Sequence, residues 1–424
     1  MAEQAIPATG ALVGRRPTAA PSPVAVLAAM AVCATALDTA GRIIPARVPL
    51  TLFHVALATA LAALGVWLAT GRLAWRRTPL DLPLVVLALA VVASVPLGLP
   101  FGLDLLALSK PTGSILLFIL IVQAVRSRRE IELVLTALVG IMTASSLFAL
   151  VARFTGISAS IIAGGVARTS GTFDDPNIFG TALVTALAVA AALWLEDPRW
   201  RRPWLLGSVP VMLAALAFTF SRGAFLGLLV AAAALLAGSR VSVATKTGIV
   251  VLAALVAVLA GSALLSDKFV QDKILGIAAD PSTTSRIYMW QSSFDMVRAY
   301  PLGIGLGEFD RVYSVFRLPG AHPGLVQSHN AYLTLLVELG LLGLAVYSWF
   351  AWRWSRIQRP LLSASSGPVR AIALGAVASA VAIAAQSFTY SLEFSKPLWV
   401  TFALGVLAWR MGRTEDGRAG HGDD

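Results

Sequence analysis

Cysteine is almost missing: Cys33 is the only one in 424 residues. That excludes an intramolecular disulfide framework and a thiolate metal site. Charge is also scarce, at 13% of residues against 57% hydrophobic. A soluble chain of this size cannot bury so much apolar surface, so the bilayer is the expected solvent. Histidine occurs four times, which leaves few candidates for proton transfer near neutral pH. No GxxxxGK[ST] phosphate loop and no DxD metal motif occurs. "GIGLG" at 303–307 has no preceding strand or βαβ context, so it is not a dinucleotide fingerprint. It reads instead as a flexible turn that lets a neighbouring helix move. No cofactor is expected.

What is present is arginine, set in small groups between apolar runs. The net charge of +11 is therefore spread along the chain, and a nucleic-acid partner, which needs a gathered basic face, is not expected. Hydropathy predicts an all-α, polytopic membrane protein with about twelve spans. They fall near 24–41, 50–70, 82–99, 105–125, 131–153, 177–195, 203–220, 224–238, 248–266, 330–352, 368–388 and 396–411. Every second connection is basic, from Arg72, Arg76 and Arg77 through Arg199, Arg201 and Arg202 to Arg353, Arg356 and Arg359. Such alternation marks the cytoplasmic side and predicts that both termini lie there. Residues 1–22 and 412–424, rich in Pro, Ala, Gly and charge, read as disordered tails around one membrane domain over 23–411.

Two outward connections are long: 154–176 and about 267–329. Within the second, Ile287, Trp290, Phe294 and Val297 recur at helical spacing over 286–299. An amphipathic helix there would lie on the membrane, cover a cavity mouth, or simply pack as a loop helix.

Polar groups at span ends are where chemistry is expected. Arg222, in "FTFSRGAFLGLL", sits in a connection of about three residues on the side where a topology anchor is not needed. Snorkelling is the simpler account of such an arginine taken alone. Arg286, in "STTSRIYMW", is expected in the first helical turn, with Ser282 to Ser285 as caps, where its charge opposes the helix dipole. His329 opens span ten in "SHNAYLTLLVELG". It is either part of a cap with Ser328 or Asn330, or a general base. Spans six, eight and ten all begin on the outward side, beside "GTFDDPNIFG", "SRG" and "SHN". If these helix N-termini are neighbours, their N–H groups and the arginines suit a diphosphate. Asp174 and Asp175, followed by Pro176 and Asn177, read as a turn into span six rather than as a metal site.

The stretches "TFSRGAFLGLLV", "SRIYMWQSSFDMVRAYPLGIGLGEF" and "SHNAYLTLLVELGLLGLAVY", in this order, resemble the O-antigen ligase and polymerase superfamily, as does "GTFDDPNIFG". The resemblance spans roughly residues 170–350. It implies a GT-C-type inner-membrane glycosyltransferase with its active site at the periplasmic face. The implied donor is an undecaprenyl-diphosphate-linked glycan, the acceptor is the lipid A–core oligosaccharide, and transfer proceeds with inversion and without a metal. By the same resemblance, Arg222 and Arg286 hold the diphosphate and His329 activates the acceptor hydroxyl. Arg168, Asn177, Arg311, Asn330, Tyr332 and Lys396 are candidate substrate contacts. Glu338 is expected to need a buried hydrogen-bond partner. Glu393 is expected to pair with Lys396 or to line the acceptor entrance, and Arg298 to be a solvated charge, an alternative that also holds for Arg311.

Within the family, an O-antigen polymerase or a protein O-oligosaccharyltransferase shares this chemistry. The compact length and single moderate outward loop favour the ligase. Outside the family, a lipid-linked-sugar flippase or transporter has a similar span number, but repeat symmetry with broken midplane helices is not evident.

Overall fold

The computed structural model describes residues 20–37, 50–100, 104–156, 160–163, 166–247, 281–319, 321, 328–363 and 365–419. The ninth expected span (248–266), His322 and His421 lie outside them. Helices dominate: α1 Pro23–Ala34, α2 Leu52–Ala69, α3 Asp81–Ser94, α4 Ser109–Ala124 and α5 Arg128–Thr155. A two-stranded antiparallel hairpin follows, β1 Ser160–Ala163 and β2 Val166–Thr169, with Ile161 opposite Arg168. Then come α6 Pro176–Glu196, α7 Pro203–Phe218, α8 Arg222–Gly238, α9 Pro281–Ala299, α10 Phe309–Phe316 and α11 Ala331–Glu338. The last three are α12 Gly340–Ser363, α13 Gly367–Gln386 and α14 Lys396–Ala419. The hairpin is the one departure from an all-helical chain among the described residues.

Six of the described helices are long and apolar enough to cross a membrane: those over 52–69, 81–98, 106–124, 128–155, 176–196 and 367–386. Three more apolar helices are shorter, α1 with 12 residues, α7 with 16 and α8 with 17. At 1.5 Å per residue these fall short of a hydrocarbon core of about 30 Å. The described residues thus make a helical membrane protein with six such helices, half the expected number of spans.

α6 and α13 form the centre. Of their span windows 78% and 67% are buried inside the protein, against 22% for α2 at the edge. α13 packs on α6, α8 and α14, and α14 packs on α4. The Ala- and Thr-rich face of α6 ("TALVTALAVAAA") permits this closeness, since small residues let membrane helices approach. At the end of the bundle where α4, α6 and α8 finish, arginines are tied to backbone carbonyls. Arg126 Nη2 donates to Ala74 O at 2.6 Å and Arg410 Nη2 to Arg76 O at 3.0 Å. Glu196 and Arg370 form a buried ion pair at the same end, at 3.0 Å. The basic connections thus gather opposite the end where α6, α8 and α11 begin.

The expected tenth span, 330–352, is not continuous. α11 stops at Glu338 and α12 starts at Gly340, whose φ is +70°. The carbonyls freed by this break are met by "GIGLG": Ile304 N donates to Val337 O at 2.9 Å and Gly305 N to Glu338 O at 3.1 Å. A Cβ on Gly340 would lie 2.4 Å from the Leu302 carbonyl, and one on Gly303 (φ +99°) 2.6 Å from Glu338 O. "GIGLG" is thus a packed clamp on a broken helix, not a loose turn. Backbone freed inside an apolar bundle must find internal partners, and only glycines let the two segments touch. Gly340→Ala is expected to destabilise the fold by about 2–4 kcal/mol, combining left-handed strain with overpacking. A thermal melt of the detergent-solubilised variant checks it; an unshifted midpoint would contradict the clamp.

α9 packs on α10 and α11, but not with the whole stripe read from its spacing. Met289, Ser292, Ser293 and Met296 are buried, and Trp290 and Val297 pack at the margin, whereas Ile287 and Phe294 are exposed. α14 runs to Ala419, beyond the apolar segment that ends at 411.

Candidate active site

Three helix starts meet at one end of the bundle. Asp175 caps α6, accepting from Asn177 N at 2.6 Å and Ile178 N at 3.2 Å. Ser221 caps α8 through Ala224 N, and Asn330 caps α11 through Tyr332 N and Leu333 N. Asn177 links the first two: its Oδ1 accepts from Ser221 Oγ at 2.9 Å. The same oxygen accepts from Arg168 Nη2 at 2.9 Å, and Arg168 Nε donates to Thr219 O at 2.8 Å. The hairpin thereby delivers Arg168 to the α6–α8 junction.

The third helix joins through a tyrosine. Tyr390, in the connection between α13 and α14, is hydrogen bonded through its hydroxyl to Asp175 and Asn177. The His329 ring lies against the Tyr390 ring, with centroids 5.5 Å apart. Arg286 reaches the same place from α9, since its charge acts on His329, and Arg222 acts on Arg168. The structure therefore brings together Arg168, Asn177, Arg222, Arg286 and His329.

Electrostatics here follow from burial and crowding of cations. Burial, and then the Arg286 charge, lower the His329 pKa from its ordinary value, with Asp175 opposing. Burial and Arg222 also lower the Arg168 guanidinium, against Asp175 and Tyr390. Burial and the Asp175 carboxylate push the Tyr390 phenol far up, so it stays protonated. His329 Nδ1 is buried without a hydrogen-bond partner among the described residues. His329 and Phe220 are the only described non-glycine residues at positive φ, +50° and +48°. Both stand at helix entries to this cluster, and such strain persists where the surroundings impose it.

Several expectations change. The first-turn N–H groups of α6 and α11 are occupied by their own caps, so an anion at this end would meet the guanidinium groups and the dipole fields rather than those N–H donors. α9 begins at Pro281, so Arg286 stands in the second turn, and its conflict with the helix dipole largely disappears. Tyr332 donates its hydroxyl to Ala384 O at 2.9 Å, which fixes α11 on α13. Arg311 is held by Glu308 through two bonds at 2.6 and 2.8 Å, and Arg298 pairs with Asp295 at 2.7 Å. Glu393 pairs with Lys110 at 3.5 Å, while Lys396 lies over the Phe53 ring at 4.3 Å. The Glu338 carboxyl has its expected buried partner in the Gly307 backbone N–H, while its main-chain carbonyl accepts from Gly305 N.

Asp175 and Tyr390 were not among the expected site residues. "DDPN" announced a cap but not the Arg168 beside it, and a lone tyrosine between two spans carries no pattern. Among the described residues no three His, Cys, Asp or Glu side chains gather as a metal site.

Residues 207–348 match the family model described as O-antigen ligase. No curated protein sequence matches the chain. The matched stretch contains Arg222, Arg286 and His329, and leaves out Arg168, Asp175, Asn177 and Tyr390. Together with the apolar helices, the match supports a multi-pass membrane protein of the O-antigen ligase and polymerase superfamily, with a glycosyltransferase role of ligase or polymerase type.

Proposed function

We propose, from that family match, that the chain transfers a glycan from an undecaprenyl-diphosphate carrier to a hydroxyl of the lipid A–core oligosaccharide. The reaction takes place at the periplasmic face of the bacterial inner membrane, with both termini cytoplasmic. The observation that carries this reading is the convergence of Arg168, Arg222 and Arg286 on the Asp175–Tyr390–His329 contact. It lies at the end of the bundle opposite the arginine-rich connections, which is the outward end by the positive-inside rule.

The neutral His329 imidazole takes the proton of the acceptor hydroxyl as its oxygen attacks the anomeric carbon. The bond from that carbon to the diphosphate oxygen breaks, and its electron pair leaves with the diphosphate, inverting the anomeric centre. The leaving group gains charge as the bond lengthens, where fixed guanidinium groups are most effective. The sugar–diphosphate bond is already activated, so no nucleotide is consumed. Low His329 basicity suits the task, because a base that is protonated at working pH does nothing.

Complementation tests it. In a ligase-null Gram-negative cell the wild type is expected to restore long-chain lipopolysaccharide. Arg222→Ala and Arg286→Ala are each expected to lower transfer by about 10²–10³-fold, the scale of a lost transition-state donor, with polymer accumulating on the lipid carrier. Restored chain length in a polymerase-null strain, without ligation, would replace the ligase reading by the polymerase one.

A further inference from the structure

The connection 387–391 touches all three helix starts. Ser387 O accepts from Ala331 N of α11 at 2.8 Å. Thr389 Oγ1 lies where a Cβ on Gly223, in the first turn of α8, would fall 2.8 Å away. Tyr390 bonds the α6 cap through Asp175 and Asn177. Ser391 Oγ then returns to α11, 2.9 Å from Thr334 Oγ1, which is itself 2.9 Å from Ser328 Oγ. Tyr390 is thus held from both sides by the segment that carries His329, while its own hydroxyl reaches the segment that carries Arg168.

From this geometry we infer that Tyr390 is the positioning residue that joins the two halves of the site. Its hydroxyl steadies the Asp175–Asn177 arm holding Arg168, and its ring backs the His329 imidazole. The inference rests on the proposed transferase reading for its meaning, but its physical content is independent of the substrate. No step of the proposed reaction needs the phenol as an acid or base. Its hydroxyl is engaged by Asp175 and Asn177, and stays protonated as a fixed donor beside Asp175. His329 sits at φ +50°, a conformation that needs support from outside its own segment. The Tyr390 ring, 5.5 Å away, supplies it. Around these two rings stand Arg286 from α9, Asp175 from the α6 cap and Arg168 from the hairpin, with Arg222 of α8 next to Arg168.

Two substitutions separate the two arms. Tyr390→Phe keeps the ring and removes the hydroxyl; Tyr390→Leu removes both. In the full-length protein in detergent, with an undecaprenyl-diphosphate glycan as donor, Tyr390→Phe is expected to raise the donor KM about tenfold with little change in kcat, as for one lost charge-assisted hydrogen bond. Tyr390→Leu is expected to lower kcat about 10²-fold in addition, the scale of a misplaced reacting group. A second readout needs no activity. Modification of His329 by diethyl pyrocarbonate, followed by peptide mass spectrometry, is expected to be several-fold faster in Tyr390→Leu and unchanged in Tyr390→Phe. Parallel loss of kcat and KM in both variants, wild-type behaviour in both, or unchanged His329 labelling in Tyr390→Leu overturns the inference. If Tyr390→Leu does not fold, the KM-against-kcat split in Tyr390→Phe decides. If the wild type transfers nothing from the carrier, the proposed function fails, while the labelling still tests the positioning.

Discussion

His329→Ala is expected to lower kcat by about 10²–10⁴-fold, the usual contribution of a positioned general base, with donor KM nearly unchanged. In the proposed reaction the donor is held by arginines that the substitution does not touch, so the loss is expected in the chemical step. The pH profile carries the same point with a definite sign. As the proposed general base His329 works deprotonated, so rate is expected to fall as pH drops through its folded pKa. That pKa lies below the ordinary 6.5, first by burial and then by the Arg286 charge. The wild-type acid limb is therefore expected below pH 6.5, with a plateau above it. Arg286→Gln removes a lowering charge and moves the limb to higher pH; Asp175→Asn removes the opposing charge and moves it lower. Full kcat in His329→Ala, or a limb that stays fixed in both charge variants, would sink the general-base role.

Some of this arrangement was legible in the sequence and some was not, for physical reasons. Arg222 and His329 stood out because hydropathy fixes where apolar runs end, and the charge alternation assigns a side to each end. Their nearness was hidden. It depends on how α6, α8 and α13 pack, which the composition of small residues permits but does not specify. Asp175 is legible as a turn residue, since a cap is a local property. Its second task is not local: Tyr390 comes from a distant segment of the chain, and Arg168, although close in sequence, is brought back by the hairpin. The break in the tenth span escaped because "LLVELGLLGLAV" is apolar throughout, and hydropathy averages over the one glycine that interrupts it. For α9, the stripe at helical spacing picked the larger side chains. The face that packs uses Met289, Ser292, Ser293 and Met296, whose serines let neighbours approach.

At the other end of the bundle, Arg370→Ala is expected to destabilise the protein by about 3–5 kcal/mol, because it leaves the Glu196 carboxylate buried without its counter-charge. Both side chains are almost fully enclosed, at 5% and 7% exposure, and Arg370 Nε meets Glu196 Oε2 at 3.0 Å. The pair also closes two helix ends. Glu196 Oε1 accepts from Arg240 N at 3.0 Å, and an Arg370 guanidinium nitrogen donates to Gly238 O at the end of α8. Glu196→Gln is expected to cost about as much, since its amide oxygen still accepts from Arg240 N but its NH2 then faces Arg370 Nε, and the buried guanidinium is left without its counter-charge. In the double variant Glu196→Gln/Arg370→Met, much of the single-variant loss should return, because no charge is then stranded. It should not return in full, because Gly238 O still lacks its donor. Thermal or denaturant unfolding in micelles measures all three, and equal midpoints for Arg370→Ala and wild type would show that water reaches the pair. Transfer per folded molecule is expected to stay at the wild-type level in every one of them. The pair and the His329 cluster sit at opposite ends of α6, so a loss of abundance here and a loss of kcat there are separable effects of the same helix.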